Sequence, residues 1–266
     1  MNRAVYIEMP DGTKLAADIW LPAAASERIG ALVSFTRYWR ARALDPAAED
    51  VPNEVAAVLR EGYAVVTVDV RGSGASFGHR ETEFSPCETR DFRFVIDRIA
   101  AQPWSNGRVA TIGISYGGNT AEHAAYDSSS ALVAAVPRFV DFDAYTSILF
   151  PGGLRNALIA DTWADGVRAL DENRVPSGEW RSQDESGPKV LGVKPVDDDP
   201  GGEQLARAVA EHRRNRCFAT LLKSAEFRDD LNLTGDLADS CSKIVTPYLL
   251  RRNRARHSVP CSHWGS

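Results

Sequence analysis

The residues of this 266-residue chain that most plainly suggest chemistry are Gly113-Ile114-Ser115-Tyr116-Gly117. A serine hydroxyl is a weak nucleophile until geometry and a neighbouring base activate it. Glycines on both sides permit a tight turn that lifts the hydroxyl clear of the backbone. The spacing Gly-x-Ser-x-Gly therefore points to covalent catalysis with Ser115 as the attacking group. So short a pattern also fits a glycine-rich turn with an incidental serine. Its surroundings separate the two. Val109 to Ile112 is apolar and reads as a strand, and Tyr116 to Tyr126 can form a helix. A serine at a strand-to-helix turn sits above the carboxyl edge of a sheet. The helix N-terminus and the N–H of Tyr116 then face a developing oxyanion.

Other chemistries find less support. Gly72, Gly74 and Gly78 nearly spell a dinucleotide fingerprint after a strand, but the last spacing is one residue too long. Phe77-Gly78-His79-Arg80 also opens no good helix, so neither a nicotinamide nor a flavin site is expected. The loop reads instead as a turn under the active face, with Asp69 structural in it and His79 a loop residue. Cys87, Cys217, Cys241 and Cys261 lie far apart with no Cys-x-x-Cys pair. The histidines, His79, His123, His212, His257 and His263, show no metal-binding spacing. No cofactor and no metal are expected. His123 lies within the helix after Ser115 and is expected in the core. His212, among Glu211, Arg213 and Arg214, is expected on a solvated helix face.

The elements that must position Ser115 follow from periodicity. Val5 to Glu8 and Leu15 to Leu21 form a hairpin with Asp11-Gly12 at its tip. Ala31 to Phe35, Tyr63 to Val68, Val109 to Ile112 and Leu132 to Val136 are short apolar strands. The Tyr63 to Val68 run is apolar on both faces, as in a parallel strand covered by helices on each side. Val51 to Arg60, Glu88 to Gln102 and Tyr116 to Tyr126 are the intervening helices. Alternating strands and helices over residues 31–137 predict an α/β protein with a mostly parallel sheet and a leading antiparallel hairpin. Residues 1–137 are expected to form the first part of that core. Residues 138–240 read as a helical cap insertion, with Ile159, Trp163, Val167 and Leu170 on one amphipathic helix. Pro176 to Gly202 reads as loop, and Leu205 to Cys217 as another helix. Residues 241–250 return a strand to the core at Ile244 to Leu250, and 251–266 form an irregular basic tail.

Lys+Arg 31 against Asp+Glu 36 leaves a net charge of −5, which gives no pull toward nucleic acid or an anionic membrane. The N-terminal residues hold no signal-length apolar core, and no run reaches the roughly 20 apolar residues of a membrane helix. A soluble, cytoplasmic location is expected. The oligomeric state is not readable.

Several segments together resemble the cocaine esterase and Xaa-Pro dipeptidyl-peptidase group of α/β-hydrolases. They are Met9 to Asp18, Glu61 to Val66, Asp69-Val70-Arg71-Gly72-Ser73-Gly74-Ala75-Ser76, Ala101-Gln102-Pro103-Trp104-Ser105-Asn106-Gly107-Arg108-Val109, and the Ser115 motif itself. The likeness is close over residues 5–155, with Phe150-Pro151-Gly152-Gly153 at its end, and loose from there to 250. The resemblance implies a serine hydrolase acting on a small ester, an amide or a short peptide. It makes Ser115 the nucleophile and the N–H of Tyr116 one oxyanion donor. It makes the hydroxyl of a tyrosine just after an early strand, here Tyr38, the other donor. The sequence agrees in one respect, since no His-Gly-Gly motif follows Ala31 to Phe35 to serve instead. A packed aromatic beside Trp39 is the alternative reading of Tyr38.

A triad in this fold runs serine, acid, histidine along the chain, the last two near its end. No Asp or Glu follows Asp239, and neither His257 nor His263 sits behind a strand. The expectation is a chain truncated or shifted in frame after Leu250, lacking the last strand and the family's β-rich C-terminal domain. A catalytically inactive, ligand-binding protein of hydrolase-like shape is therefore the competing reading. Asp161, Asp165 and Asp171 of the insertion could bind a substrate amine or face water.

Overall fold

The computed structural model describes residues 2–216, except 24–26, 46, 48–50, 127–128, 142 and 178–187, together with residue 222. Strand β1 (Asn2–Glu8) pairs antiparallel with β2 (Lys14–Trp20). Between them the Asp11 carboxylate accepts the Thr13 N–H at 3.0 Å, closing the expected Asp-Gly turn. Then follow β3 (Ile29–Thr36), the short β4 (Arg42–Asp45), helix α1 (Asn53–Arg60), β5 (Ala64–Asp69) and α2 (Pro86–Ala100). After these come β6 (Ser105–Ile114), α3 (Tyr116–His123) and β7 (Leu132–Arg138). The main sheet has the order β1-β2-β5-β3-β6-β7. Its last four strands are mutually parallel, and β2 runs antiparallel to β5. This is the expected mostly parallel α/β sheet with a leading hairpin.

Both faces of the sheet are covered, as the unbroken apolar run in β5 requires. Val66 and Val68 join the main core with Phe92, Val95, Ile96 and Ile99 of α2. Val65, pointing the other way, packs with Trp20 and with Val55 of α1. Helix α2 starts cleanly because Ser85 caps it, accepting the Glu88 N–H at 3.3 Å, and Pro86 presets its first turn. In register, Thr36 stands beside Asp69 and Ile114 beside Arg138. The turns after β3, β5, β6 and β7 therefore share one edge of the sheet.

One of these turns is built on a buried carboxylate. Asp69 accepts the N–H groups of Arg40 at 2.7 Å and Ala75 at 2.9 Å. A Cβ on Gly74 would lie 2.3 Å from that carboxyl, so only glycine fits. The Arg40 guanidinium lies 3.2 Å from the buried Asp18. Burial raises the Asp69 pKa to about 6, although the Arg40 charge opposes the rise. Asp69 is structural, as its place in the sequence suggests.

In the segment from 138 onward, π-helical turns at Tyr145–Leu149 and Leu158–Trp163 precede α4 (Ala164–Asp171). Two sequence expectations are corrected here. Within the stretch read as loop lies β8 (Lys189–Val193), paired antiparallel with β4. Its signal is faint because it is five residues long and interrupted by Gly192, and its partner is about 150 residues away. The second concerns α5 (Glu203–His212). His212 is buried, not solvated, with Nδ1 2.9 Å from the carbonyl oxygen of Asp171 and Nε2 2.7 Å from that of Ser76. The charged sequence neighbours misled. His212 shares its helix face with the buried Leu205 and Ala208, seven and four residues earlier. The strand expected at Ile244 to Leu250 and the tail after it, with Cys217, Cys241, Cys261, His257 and His263, lie outside the described residues. Among the described residues no helix is long and apolar enough to cross a membrane.

Candidate active site

Ser115 sits at the turn from β6 into α3 with φ 56° and ψ −126°. A non-glycine residue rarely adopts such a conformation, which costs on the order of 1–3 kcal/mol and must be held by its surroundings. Here the Ser115 N–H donates to the Arg138 carbonyl at 3.0 Å and its own carbonyl accepts from Asn119 at 2.9 Å. The glycines are required by contact. A Cβ on Gly113 would stand 2.0 Å from the Gly117 carbonyl oxygen. One on Gly118 would stand 2.3 Å from that of Arg138. The turn is thus as tight as the motif predicts, and Ser115 is exposed at its tip.

Tyr38 follows β3, its N–H held by the Thr36 hydroxyl at 2.9 Å. The indole N–H of Trp163 donates to its phenol oxygen at 3.0 Å, and the Ser115 side chain lies close enough to oppose the rise that burial gives the Tyr38 pKa. Burial raises the Tyr38 pKa, so the phenol keeps its proton and remains a donor. The structure thus places the two expected residues, Ser115 and Tyr38, side by side, with Trp163 as a neighbour that the sequence does not single out. Nothing in the spacing of Trp163 marks it as more than a helix-face aromatic.

Beneath the turn lies a second buried layer. The side chain of Tyr116 points into the protein, and its phenol donates to Glu88. Its ring stacks on Phe84, with centroids 4.6 Å apart, and meets Tyr38 edge-on at 6.0 Å. Arg37, 1% exposed, places its guanidinium 5.6 Å from the Tyr116 ring centre and 5.0 Å from that of Trp163. It is paired with Glu83, and with Asp171 at 3.4 Å. Asp171 also accepts from Arg80 at 2.7 Å and from Asn215 at 2.9 Å. Asp171 is therefore neither a substrate ligand nor a water-facing acid but part of this buried network. Asp161 is exposed and pairs with Arg155 at 2.6 Å, and Asp165 is exposed and pairs with Arg168 at 3.3 Å.

The described histidines are engaged elsewhere. His123 is buried against Phe84 and Tyr126, and burial depresses its pKa to about 4, so it stays neutral near pH 7. His212 lies between two carbonyl oxygens, and His79 lies 3.7 Å from Glu81. Among the described residues no cluster of three or more His, Cys, Asp or Glu could hold a metal ion.

Chemically, this arrangement offers an exposed hydroxyl in a strained turn, a protonated phenol beside it, and the first N–H of a helix. These are the groups needed to form and hold a tetrahedral oxyanion. The comparisons with known proteins bear on the family. The family model for X-Pro dipeptidyl-peptidase (S15 family) matches residues 11–253. A Mycobacterium tuberculosis protein named "Putative serine esterase" is 38% identical over 244 residues, covering 85% of this chain and 38% of the relative. The cocaine esterase of a Rhodococcus species is 31% identical over 152 residues, 56% of this chain and 25% of that one. The crystal structure of a CocE/NonD family hydrolase from Staphylococcus aureus superposes with a TM-score of 0.56 at 29% identity. That match covers 63% of this chain and 32% of the other. The chain thus spans about two fifths or less of the length of these relatives.

Proposed function

The chain belongs to the X-Pro dipeptidyl-peptidase (S15) family, and we propose that it is a serine hydrolase of esters or amides working through an acyl-enzyme on Ser115. The observation that carries this reading is the strained Ser115, exposed at the turn beside a phenol that burial keeps protonated. In this reading the Ser115 oxygen attacks the substrate carbonyl carbon and gives its proton to a base. The carbonyl oxygen takes the negative charge and is met by the Tyr38 hydroxyl and the Tyr116 N–H. Collapse expels the alcohol or amine, which takes up the proton, and water then cleaves the ester to Ser115. No cofactor enters these steps. The described part of the segment from 138 onward acts as a cap over the site, and Trp163 reaching Tyr38 from it supports this role. The substrate is a small ester, an amino-acid ester or a short Xaa-Pro peptide, and neither nucleic acid nor a membrane is a partner.

One observation favours a second reading, a protein that binds such ligands without turning them over. Each described histidine is engaged away from Ser115. A fluorophosphonate probe separates the two, because it phosphonylates only an activated serine. Labelling that disappears in Ser115→Ala supports the hydrolase. Tight binding of an ester analogue with no labelling supports the second reading.

A further inference from the structure

We propose that Glu88 is a positioning residue for the oxyanion hole, its carboxylate gripping the Tyr116 phenol and the Phe84 amide so as to aim the Tyr116 N–H at the tetrahedral oxygen. The proposal rests on the reading of Ser115 as nucleophile. Glu88 lies in the first turn of α2 and is fully buried. One of its carboxylate oxygens accepts the phenol proton of Tyr116, and the other accepts the Phe84 N–H at 3.1 Å. Phe84 itself is held at φ +55° and presses its ring on the Tyr116 ring at 4.6 Å. Glu88 therefore fixes Tyr116 twice, at the tip of its side chain and across its face. Tyr116 is the first residue of α3 and follows the strained Ser115. A side chain clamped at its far end fixes the peptide plane that carries the donor N–H. Oxyanion donors act only when held to within a fraction of an ångström of the productive geometry.

A carboxylate suits this task better than an amide, since both its oxygens accept and both donors here need an acceptor. The groups facing it are Arg80, Glu83, Arg37 and Tyr116, with Asp171 bonded to both arginines and His123 neutral behind Phe84. Burial raises the Glu88 pKa to about 7, against the lowering effect of the Tyr116 hydrogen bond and the Arg80 charge. A proton on either oxygen weakens one of the two grips. The hole is then set above about pH 7 and loosens below it.

The test is a pH titration of the full chain by NMR, following the Glu88 side-chain carboxyl carbon and the backbone amide of residue 116. In the parent, both resonances move together with a midpoint near 7. In Tyr116→Phe the Glu88 midpoint rises by roughly one pH unit, because a hydrogen bond favouring the charged form is lost. The amide at 116 no longer follows it. In Glu88→Gln the amide shows no transition near 7. A Glu88 midpoint in the ordinary carboxylate range, or one unchanged by Tyr116→Phe, overturns the proposal. So does an amide that still follows Glu88 without the phenol, which means that charge alone is felt. Failure of a fluorophosphonate to label Ser115 overturns the hydrolase reading instead, and leaves the coupling between Glu88 and the amide measurable.

Discussion

Two buried acid clusters lie under the same edge of the sheet, and they serve different ends. Around Asp69, the carboxylate accepts from backbone N–H groups, and Arg40 and Asp18 complete the charge balance. It fastens a turn and touches no group of the candidate site. Around Glu88, Arg37, Asp171 and Arg80, the partners are instead Tyr116, and through stacking Trp163 and Phe84. Those residues in turn contact or carry the proposed oxyanion donors. Both clusters cost desolvation, and in both a carboxyl pKa is raised by burial. What separates them is the identity of the hydrogen-bond donors, main chain alone for Asp69, but for Glu88 the side chain of Tyr116 as well as the Phe84 N–H. Damage to the first should appear as lost stability, and damage to the second as lost transition-state binding.

Variants can break or sharpen that contrast. Ser115→Ala should abolish the release of p-nitrophenol from p-nitrophenyl acetate above the solution rate while leaving the melting temperature close to that of the parent. Asp69→Asn should do the reverse. It removes one partner of a buried charge, a change worth about 3–5 kcal/mol, and should shift the urea midpoint strongly while the folded fraction keeps its reactivity per molecule. Tyr38→Phe should slow acylation ~10²-fold with little change in substrate binding, since an oxyanion donor acts in the transition state. An unchanged acylation rate would make Tyr38 a packed aromatic. Trp163→Phe removes only the bond that orients the Tyr38 phenol. A loss of about 1 kcal/mol, read as a several-fold lower acylation rate, is expected.

A further effect concerns pH. Asp69 has its pKa raised to about 6 from 3.8. Between those values the folded protein keeps a proton that the unfolded chain has released, so stability falls as pH rises through the window. Melting curves of parent and Asp69→Asn between pH 4 and 6 should converge as the pH rises. A constant offset would remove Asp69 from the pH dependence.

Much of this was legible from residue types alone. Short-range signals sufficed for the hairpin, the four parallel strands, α2 and the tight turn at Ser115. The placement of Tyr38 came through family likeness and not through spacing. Beyond Trp163, three features escape the sequence for physical reasons. β8 is short, broken by Gly192 and paired with a strand far away in sequence. The charged neighbours of His212 suggest a solvated face, whereas its face is set by the buried Leu205 and Ala208. Glu88 sits three residues after Ser85, a pattern that reads as a helix cap. The cap is indeed present, but its carboxylate reaches past the cap to Phe84 and Tyr116, a connection only the folded chain makes.

The central claim is that Ser115 forms a covalent acyl intermediate in a preformed oxyanion hole. The most direct measurement is to quench the full chain with acid during reaction with p-nitrophenyl acetate and map the acetyl group by peptide mass spectrometry. The account predicts one adduct, on Ser115. An acetyl group confined to lysines or to another serine, or ester consumed with Ser115 unmodified, would contradict it.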